Sequence, residues 1–269
     1  MAMSESATAR YEHILQIAVT SSHGAAIALA NGADEIELCS ALELGGLTPS
    51  DGLLRRCVAL GVPVHALIRS RPGDFLYSQD EMDTMGEEIR SVLRSGASGI
   101  VIGALDEHRH LDIESLRTLI AVAHECKPDV TVTVNRAIDR SENPAAEVRR
   151  LASSGLDINR ILTSGGGASA ADGITTIASM ARSLSGSTMT ILCGGGVQVK
   201  DIASIMEAGA CSIHLSAKRG IRQSSQHGAT YVSLGYGDKP TAIDHFSTDG
   251  GIVHDARVSL DSYLHSQNA

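Results

Sequence analysis

The sequence predicts a closed (β/α)8 barrel of the TIM type, a single domain over residues 13–269 behind a loose extension over residues 1–12. Three observations lead there. Eight short β-branched runs alternate with amphipathic segments of helical period, the pattern of parallel strands joined by crossover helices. A small unit recurs where the helices end, as Gly32-Ala33, Gly96-Ala97, Gly155-Leu156 and Gly209-Ala210, each just ahead of a strand. No G-x-G-x-x-G follows the first strand, and 269 residues is a typical barrel length, so the open doubly wound alternative is disfavoured.

The first strand spans Ile14 to Val19 and is followed by a short helix, Ala25 to Ala30, which Gly32 closes in a left-handed C-cap. The second strand is Glu35 to Cys39. Thr48 then offers a hydroxyl N-cap and Pro49 a first helical position for a helix reaching Leu60. Val64 to Arg69 is the third strand, and its helix, Ser78 to Ser95, opens with Ser78 and Glu81 at capping-box spacing. Gly99 to Gly103 precedes the helix Asp112 to Cys126, and Val130 to Asn135 precedes the helix Pro144 to Ser153. Arg160 to Ser164 leads to a helix from Ala168 to Leu184, and Thr190 to Cys193 to one from Val199 to Ala208. The eighth strand is Cys211 to Ser216; a Gly-, Ser- and Asp-rich stretch over 218–251 delays the last helix, Val253 to His265.

Composition narrows the function. Lys and Arg number 22 against 31 Asp and Glu, a net charge of −9, which argues against nucleic-acid or anionic-membrane partners. No apolar run approaches the roughly 20 residues that span a bilayer. Residues 1–10 lack the pattern of a signal peptide, and the expected location is cytoplasmic. Five widely spaced cysteines without C-x-x-C form neither a disulfide framework nor a zinc finger. Aromatics are 3% of residues with no Trp, so the core must be aliphatic.

Strand alternation selects the side chains that enter the barrel. Ile36 and Leu38 suit the helix layer, which sends Glu37 and Cys39 inward. The same parity sends His65, Leu67 and Arg69, then Thr131, Thr133 and Asn135, then Ser212, His214 and Ser216 inside. Glu37, Arg69 and His214 are therefore candidate catalytic residues near the C-terminal strand ends, where barrel enzymes place their chemistry. The competing reading of Glu37 and Arg69 is a buried ion pair that merely fills the barrel, and that of His214 a satisfied core imidazole.

Two glycine runs follow strands, Gly165-Gly166-Gly167 and Gly194-Gly195-Gly196. Converging backbone N–H groups bind phosphate or carboxylate well, and loops after strands seven and eight commonly hold a phosphate. This makes Gly165, Gly194, Gly195, Gly196 and Ser216 candidate anion ligands, unless the glycines only serve sharp turns. Arg69, Arg71 and Asp74 share one segment, which suits either an anionic ligand or a loop clasp built on Asp74. Cys39 and Cys193 suit Cu(I) if they face one another, or inert packing. His108-Arg109-His110 is an H-x-H in a loop, better read as solvated.

With those residues in view, the sequence resembles the CutC family from about Leu15 to His265. The motifs that carry the resemblance are Gly32-Ala33-Asp34 before Ile36-Glu37-Leu38-Cys39, Gly45-Gly46-Leu47-Thr48-Pro49-Ser50, and Ile68-Arg69 with Arg71, Gly73-Asp74-Phe75 and Tyr77-Ser78. Gly103-Ala104-Leu105, Arg136-Ala137 with Asp139, Ile161-Leu162-Thr163-Ser164-Gly165, Gly194-Gly195-Gly196-Val197 and His214 with Ser216 continue it. The resemblance implies a cytoplasmic barrel, often a homo-oligomer such as a dimer, tied to copper homeostasis or copper binding, and it adds Asn135 and Arg136 to the site. Three departures matter. Ala18 stands where relatives often carry Cys, so a two-thiolate copper site with Cys39 cannot form there. Asn135 replaces a histidine and cannot exchange a proton. Arg69-Ser70-Arg71-Pro72 rearranges a loop but keeps both arginines. Two expectations result: copper held through Cys39, or a small phosphorylated or carboxylated metabolite held at the barrel mouth and handled by acid–base chemistry.

Overall fold

The computed structural model describes residues 13–221 and 245–267. Eight parallel strands close into a barrel in sequence order: β1 (Leu15–Val19), β2 (Glu35–Leu38), β3 (Val64–Leu67), β4 (Gly99–Ile102), β5 (Thr131–Val134), β6 (Arg160–Thr163), β7 (Thr190–Cys193) and β8 (Ser212–Leu215). Hydrogen bonds between β8 and β1 seal the cylinder, with Gln16 beside His214 on one side and beside Glu35 on the other. The helices α1 (Ser22–Ala30), α2 (Asp51–Val58), α3 (Gln79–Arg94), α4 (Ile113–Cys126), α5 (Pro144–Ser153), α6 (Ile174–Ser183), α7 (Ile202–Glu207) and α8 (Gly250–Gln267) form the outer ring. A short antiparallel pair, β9 (Lys218–Ile221) with β10 (His245–Thr248), links β8 to α8. The predicted extension over 1–12 and the middle of the predicted 218–251 loop, residues 222–244, lie outside the described residues.

The expected alternation is borne out, and the boundaries differ for local reasons. Gly32, Gly96, Gly155 and Gly209 all adopt φ between 69° and 100°, the left-handed turn that sends each helix back toward the sheet. Ser78 and Glu81 form the predicted capping box. Thr48 is not the cap of α2. Ser50 accepts the amide of Leu53 in that role, because the Thr48 hydroxyl donates to Glu88 at 2.7 Å and accepts the amide of Arg69 at 2.9 Å. The helix expected from Ala168 starts only at Ile174, since Asp172 binds the amide and hydroxyl of Ser169 and holds residues 165–173 as turns. Cys39, Arg69, Asn135 and Ser216 fall just past the strand ends that the sequence assigns them to.

Aliphatic side chains such as Ile17, Ile36, Ile100, Val132, Ile161 and Ile191 pack outward under the helices. The barrel interior is unlike that layer, because it is polar at its N-terminal end. Arg160, fully buried, donates through Nη1 to Glu35 and through Nε to Thr133 at 3.2 Å. His65 Nε2 lies 3.0 Å from the other Glu35 oxygen, and Gln16 Nε2 donates to Glu35 Oε1 at 2.6 Å. Gly99 makes the room: a Cβ there would stand 2.4 Å from His65 Nδ1. Burial alone would raise the Glu35 pKa, but the His65 and Arg160 contacts outweigh it and hold the carboxyl at about 2. Burial, together with the charge of Arg160, lowers the pKa of His65 against the pull of Glu35.

Removing one member of such a pair strands the other charge. Arg160→Met is expected to lower the unfolding free energy by about 3–5 kcal/mol in urea denaturation. The double variant Glu35→Gln/Arg160→Met is expected to lose clearly less, since no uncompensated charge remains inside.

Candidate functional site

A cavity of about 500 Å³ opens at the C-terminal ends of the strands. Glu37, Arg69, Asn135, Arg136, Gly195, Gly196, His214 and Ser216 line it, and of these strand alternation turns Glu37, Arg69, Asn135, His214 and Ser216 inward. Arg71, Gly165, Gly194 and Cys39 do not line it.

Glu37 extends from β2 and is buried, yet its Oε2 has no hydrogen-bond partner. Burial first, and the nearby Glu35 carboxylate second, push its pKa up to about 7 against the pull of Arg160. The Glu37–Arg69 ion pair of the competing reading does not form. Arg69 instead pins two loops, donating through Nη1 to the carbonyls of Leu44 and Gly46 at 2.9 and 3.0 Å and through Nη2 to that of Gly73 at 2.9 Å. Its guanidinium also stacks on the Phe75 ring, 4.8 Å from the centroid. Arg71 is the clasp of the alternative reading. It binds Asp74 at 2.9 Å, Glu81 and the carbonyl of Leu76, all outside the cavity.

Arg69 and Lys218 also line the cavity, and a third cation there is Arg136. Its Nε donates to Asp139 at 2.7 Å and Nη2 to Ser164 at 3.0 Å, while Nη1 has no partner among the described residues. The guanidinium lies against Gly195, where a Cβ would come within 2.6 Å of Cζ and where φ is +95°. Glycine is required there on both counts. Asp139, which the sequence reading named only as a motif residue, takes up the first glycine run. It accepts the amides of Ser164 and Gly166 at 2.9 and 3.1 Å and the hydroxyl of Thr163 at 2.5 Å. An internal carboxylate thus fills the Gly165 loop that was expected to hold an external anion, and the Gly165 amide itself donates to Thr163 Oγ1. The Gly194 amide is spent on the carbonyl of Thr163 at 2.9 Å. The amides of Gly195, Gly196 and Val197 have no acceptor among the described residues, and the three residues line the cavity beside Ser216 and Lys218.

His214 presents its ring to the same cavity. Its Nδ1 is 2.6 Å from Gln16 Oε1, which ties the mouth to the Glu35–Arg160 layer. Burial, then the charges of Arg136 and Arg160, lower its pKa to about 3, so the imidazole is neutral at physiological pH. Asn135 caps the turn after β5 by accepting the amide of Ala137 at 2.8 Å. Gln16, Glu35 and Arg160 were not singled out from the sequence. The parity that turns Glu37 inward also turns Glu35 inward, and Arg160 shares a face with Leu162, so the signal was present.

The thiols do not converge. Cys39 sits with Leu42, Leu67 and Val101, and its pKa is driven far up by burial and by the carboxylates of Glu37 and Glu43. Cys193 lies on the opposite side of the wall, in the helix-facing core, with its thiol raised by burial to about 12. His110 is held by Glu147 at 3.0 Å. Among the described residues no group of three or more His, Cys, Asp or Glu side chains is placed to hold a metal ion.

Fold and site together define a (β/α)8 barrel protein with a polar, partly enclosed mouth. The chain belongs to the CutC family, whose model matches residues 13–219. It is 39% identical over 193 residues to a family protein CutC of Aliivibrio fischeri, covering 71% of this chain and 76% of that one. A human protein named copper homeostasis protein cutC homolog is 38% identical over 207 residues, 76% of this chain and 73% of its own. A CutC crystal structure from Streptococcus agalactiae superposes with a TM-score of 0.65 at 22% identity, covering 76% of this chain and 98% of that one. Thiamine phosphate pyrophosphorylase from Pyrococcus furiosus shares the fold at a TM-score of 0.53 and 12% identity, over 95% and 99% of the two chains. No helix among the described residues is long and apolar enough to cross a membrane.

Glu37 gives the site a measurable pH signature. Its carboxyl binds a proton more tightly folded than unfolded, so its contribution to stability is full below about pH 4.5 and is lost as pH rises to about 7. Glu37→Gln removes that dependence. The variant is expected to gain on the native protein, by on the order of 3 kcal/mol, between pH 4.5 and 7 in urea unfolding, and to hold a constant advantage above that range.

Proposed function

We propose that this chain serves copper homeostasis, the role for which its human relative is named, by recognising a small phosphorylated or carboxylated metabolite at the barrel mouth rather than by holding copper at Cys39. The observation that carries the reading is the buried, unpartnered Glu37 carboxyl facing the same cavity as the neutral His214 ring and the free Nη1 of Arg136. An interior carboxyl without a partner is costly, and a group kept in that state next to a cavity is suited to a ligand that completes its hydrogen bonding. The anion would rest on the amides of Gly195, Gly196 and Val197 and on Ser216, with Arg136 neutralising it. Glu37, near neutrality in pKa, would give or take a proton, and the neutral His214 ring would accept a hydrogen bond from the ligand.

Cu(I) needs thiolate or comparably soft ligands, and the protonated Cys39 among aliphatic side chains does not fit it. The family's cytoplasmic location and homo-oligomeric assembly are part of the same proposal, and a dimer is the state to look for by light scattering.

Titration with inorganic phosphate and with small carboxylates, followed by calorimetry and thermal shift, tests the reading. Saturating ligand is expected to raise the melting temperature, and Arg136→Ala to weaken binding about tenfold, the loss of one charged hydrogen bond. Absence of binding by either anion class, or affinity indifferent to Arg136→Ala, would overturn it. Titration with Cu(I) against a competing chelator is expected to give the same curve for the native protein and Cys39→Ser. A stoichiometric site that disappears in Cys39→Ser would restore the copper reading.

A further inference from the structure

Glu35 is ionised inside the barrel by its contacts with Arg160 and His65, and a carboxylate only accepts hydrogen bonds. Gln16 must therefore turn its amide nitrogen toward Glu35, at 2.6 Å, which leaves its oxygen toward His214. That oxygen is 2.6 Å from Nδ1 of His214, and an amide oxygen only accepts. The proton of the neutral imidazole is thus confined to Nδ1. Nε2 has no partner among the described residues, and the ring lines the cavity.

We propose that Gln16 is a positioning residue: by passing on the polarity of the Arg160–Glu35 pair, it fixes His214 as the Nδ1–H tautomer and presents an unprotonated Nε2 to the barrel mouth. Side-chain direction is relayed here without any proton moving along the chain, since the amide has no proton to lend in both directions. The register is what makes it work, because β1 runs between β2 and β8 and sets Gln16 level with both Glu35 and His214. The charged groups facing His214 are Arg136 at the mouth and Arg160 with Glu35 beneath, and the two arginines keep it from taking a second proton. The mouth then holds two proton sites of opposite sense, a carboxyl that donates below about pH 7 and an imidazole that accepts. Such a pair suits a ligand with a donor group toward Nε2 and an acceptor toward Glu37, next to its anionic end. The last point rests on the small-metabolite reading, whereas the tautomer does not.

The test is nitrogen-15 NMR of the full chain labelled at histidine, with the His214 signals assigned by their loss in His214→Gln. In the native protein, Nδ1 is expected to give the signal of a protonated nitrogen and Nε2 that of an unprotonated one, unchanged from about pH 8 to pH 5. Gln16→Met, similar in length but without the amide, is expected to shift His214 to mixed tautomers. Gln16→Glu, whose carboxyl must share a proton with Glu35 at the 2.6 Å contact and so still turns an accepting oxygen to Nδ1, is expected to restore the native tautomer. A native spectrum with the proton on Nε2, or an unchanged tautomer in a folded Gln16→Met, overturns the proposal. The native spectrum decides it even if Gln16→Met does not fold. Should the anion titrations fail while the tautomer is as stated, the metabolite reading falls and the positioning role stands.

Discussion

The contact between Arg160 and Glu35 constrains everything above it. A guanidinium and a carboxylate sealed inside a barrel are tolerable only if nearly every donor and acceptor is met, and the layer does so with Thr133, His65 and Gln16. With Glu35 and Arg160 themselves, these five residues come from β1, β2, β3, β5 and β6, so the polar layer fixes the mutual register of more than half the strands. Replacing it with aliphatic packing would satisfy the core equally well. What that replacement would remove is direction, because an apolar layer cannot tell Gln16 which way to face.

One consequence is the division of labour between the two arginines at the mouth. Arg69, spent on three loop carbonyls and an aromatic face, holds the β2 and β3 loops together and thereby shapes the rim. Arg136 is held by Asp139 and Ser164 at two of its nitrogens and left open at the third. Asp139 is pivotal in a second way, since its carboxylate occupies the Gly165 loop, whereas the Gly195–Val197 amides have no acceptor among the described residues. Two glycine runs of the same appearance therefore do different work. The difference lies in one acidic side chain from a neighbouring loop.

The fold was legible because its signals are local. Alternation, the four left-handed glycines and the Ser78–Glu81 box depend on residues within a turn or two of each other. Inward parity is also local, and it put Glu37, Asn135, His214 and Ser216 at the cavity. Pairing is not local. That Glu35, rather than Glu37, takes up the buried guanidinium depends on Arg160, 125 residues away, and the sequence offers no rule for choosing between acids two positions apart on one face. The same holds for Thr48, whose hydroxyl left a plausible capping role for Glu88 and the Arg69 amide. Of the two readings of Cys193, facing Cys39 or inert packing, the structure shows the packing. Cys39 and Cys193 look equivalent at strand ends, but Thr190 and Leu192 take the interior positions of β7 and turn Cys193 to the helices.

Copper and the barrel mouth make opposite demands on their surroundings, and this bears on what the family resemblance can mean for this chain. A thiolate site for Cu(I) needs neighbours that stabilise negative sulfur, such as a cation, a helix N-terminus or the metal itself. Cys39 has Leu42, Leu67 and Val101 around it and the carboxylates of Glu37 and Glu43 at longer range, all of which favour the protonated thiol. Position 18, level with Glu37 across the β1–β2 ladder, supplies a methyl group where a second sulfur would be needed. The mouth, in contrast, brings together a guanidinium nitrogen and three backbone amides without partners among the described residues, a carboxyl near neutrality and an imidazole held by Gln16 from below. A chain can lose one thiol by a single substitution. No single substitution assembles the second set, since Gly195, Arg136, Asp139, His214, Gln16 and Glu35 each depend on a partner from a different strand or loop.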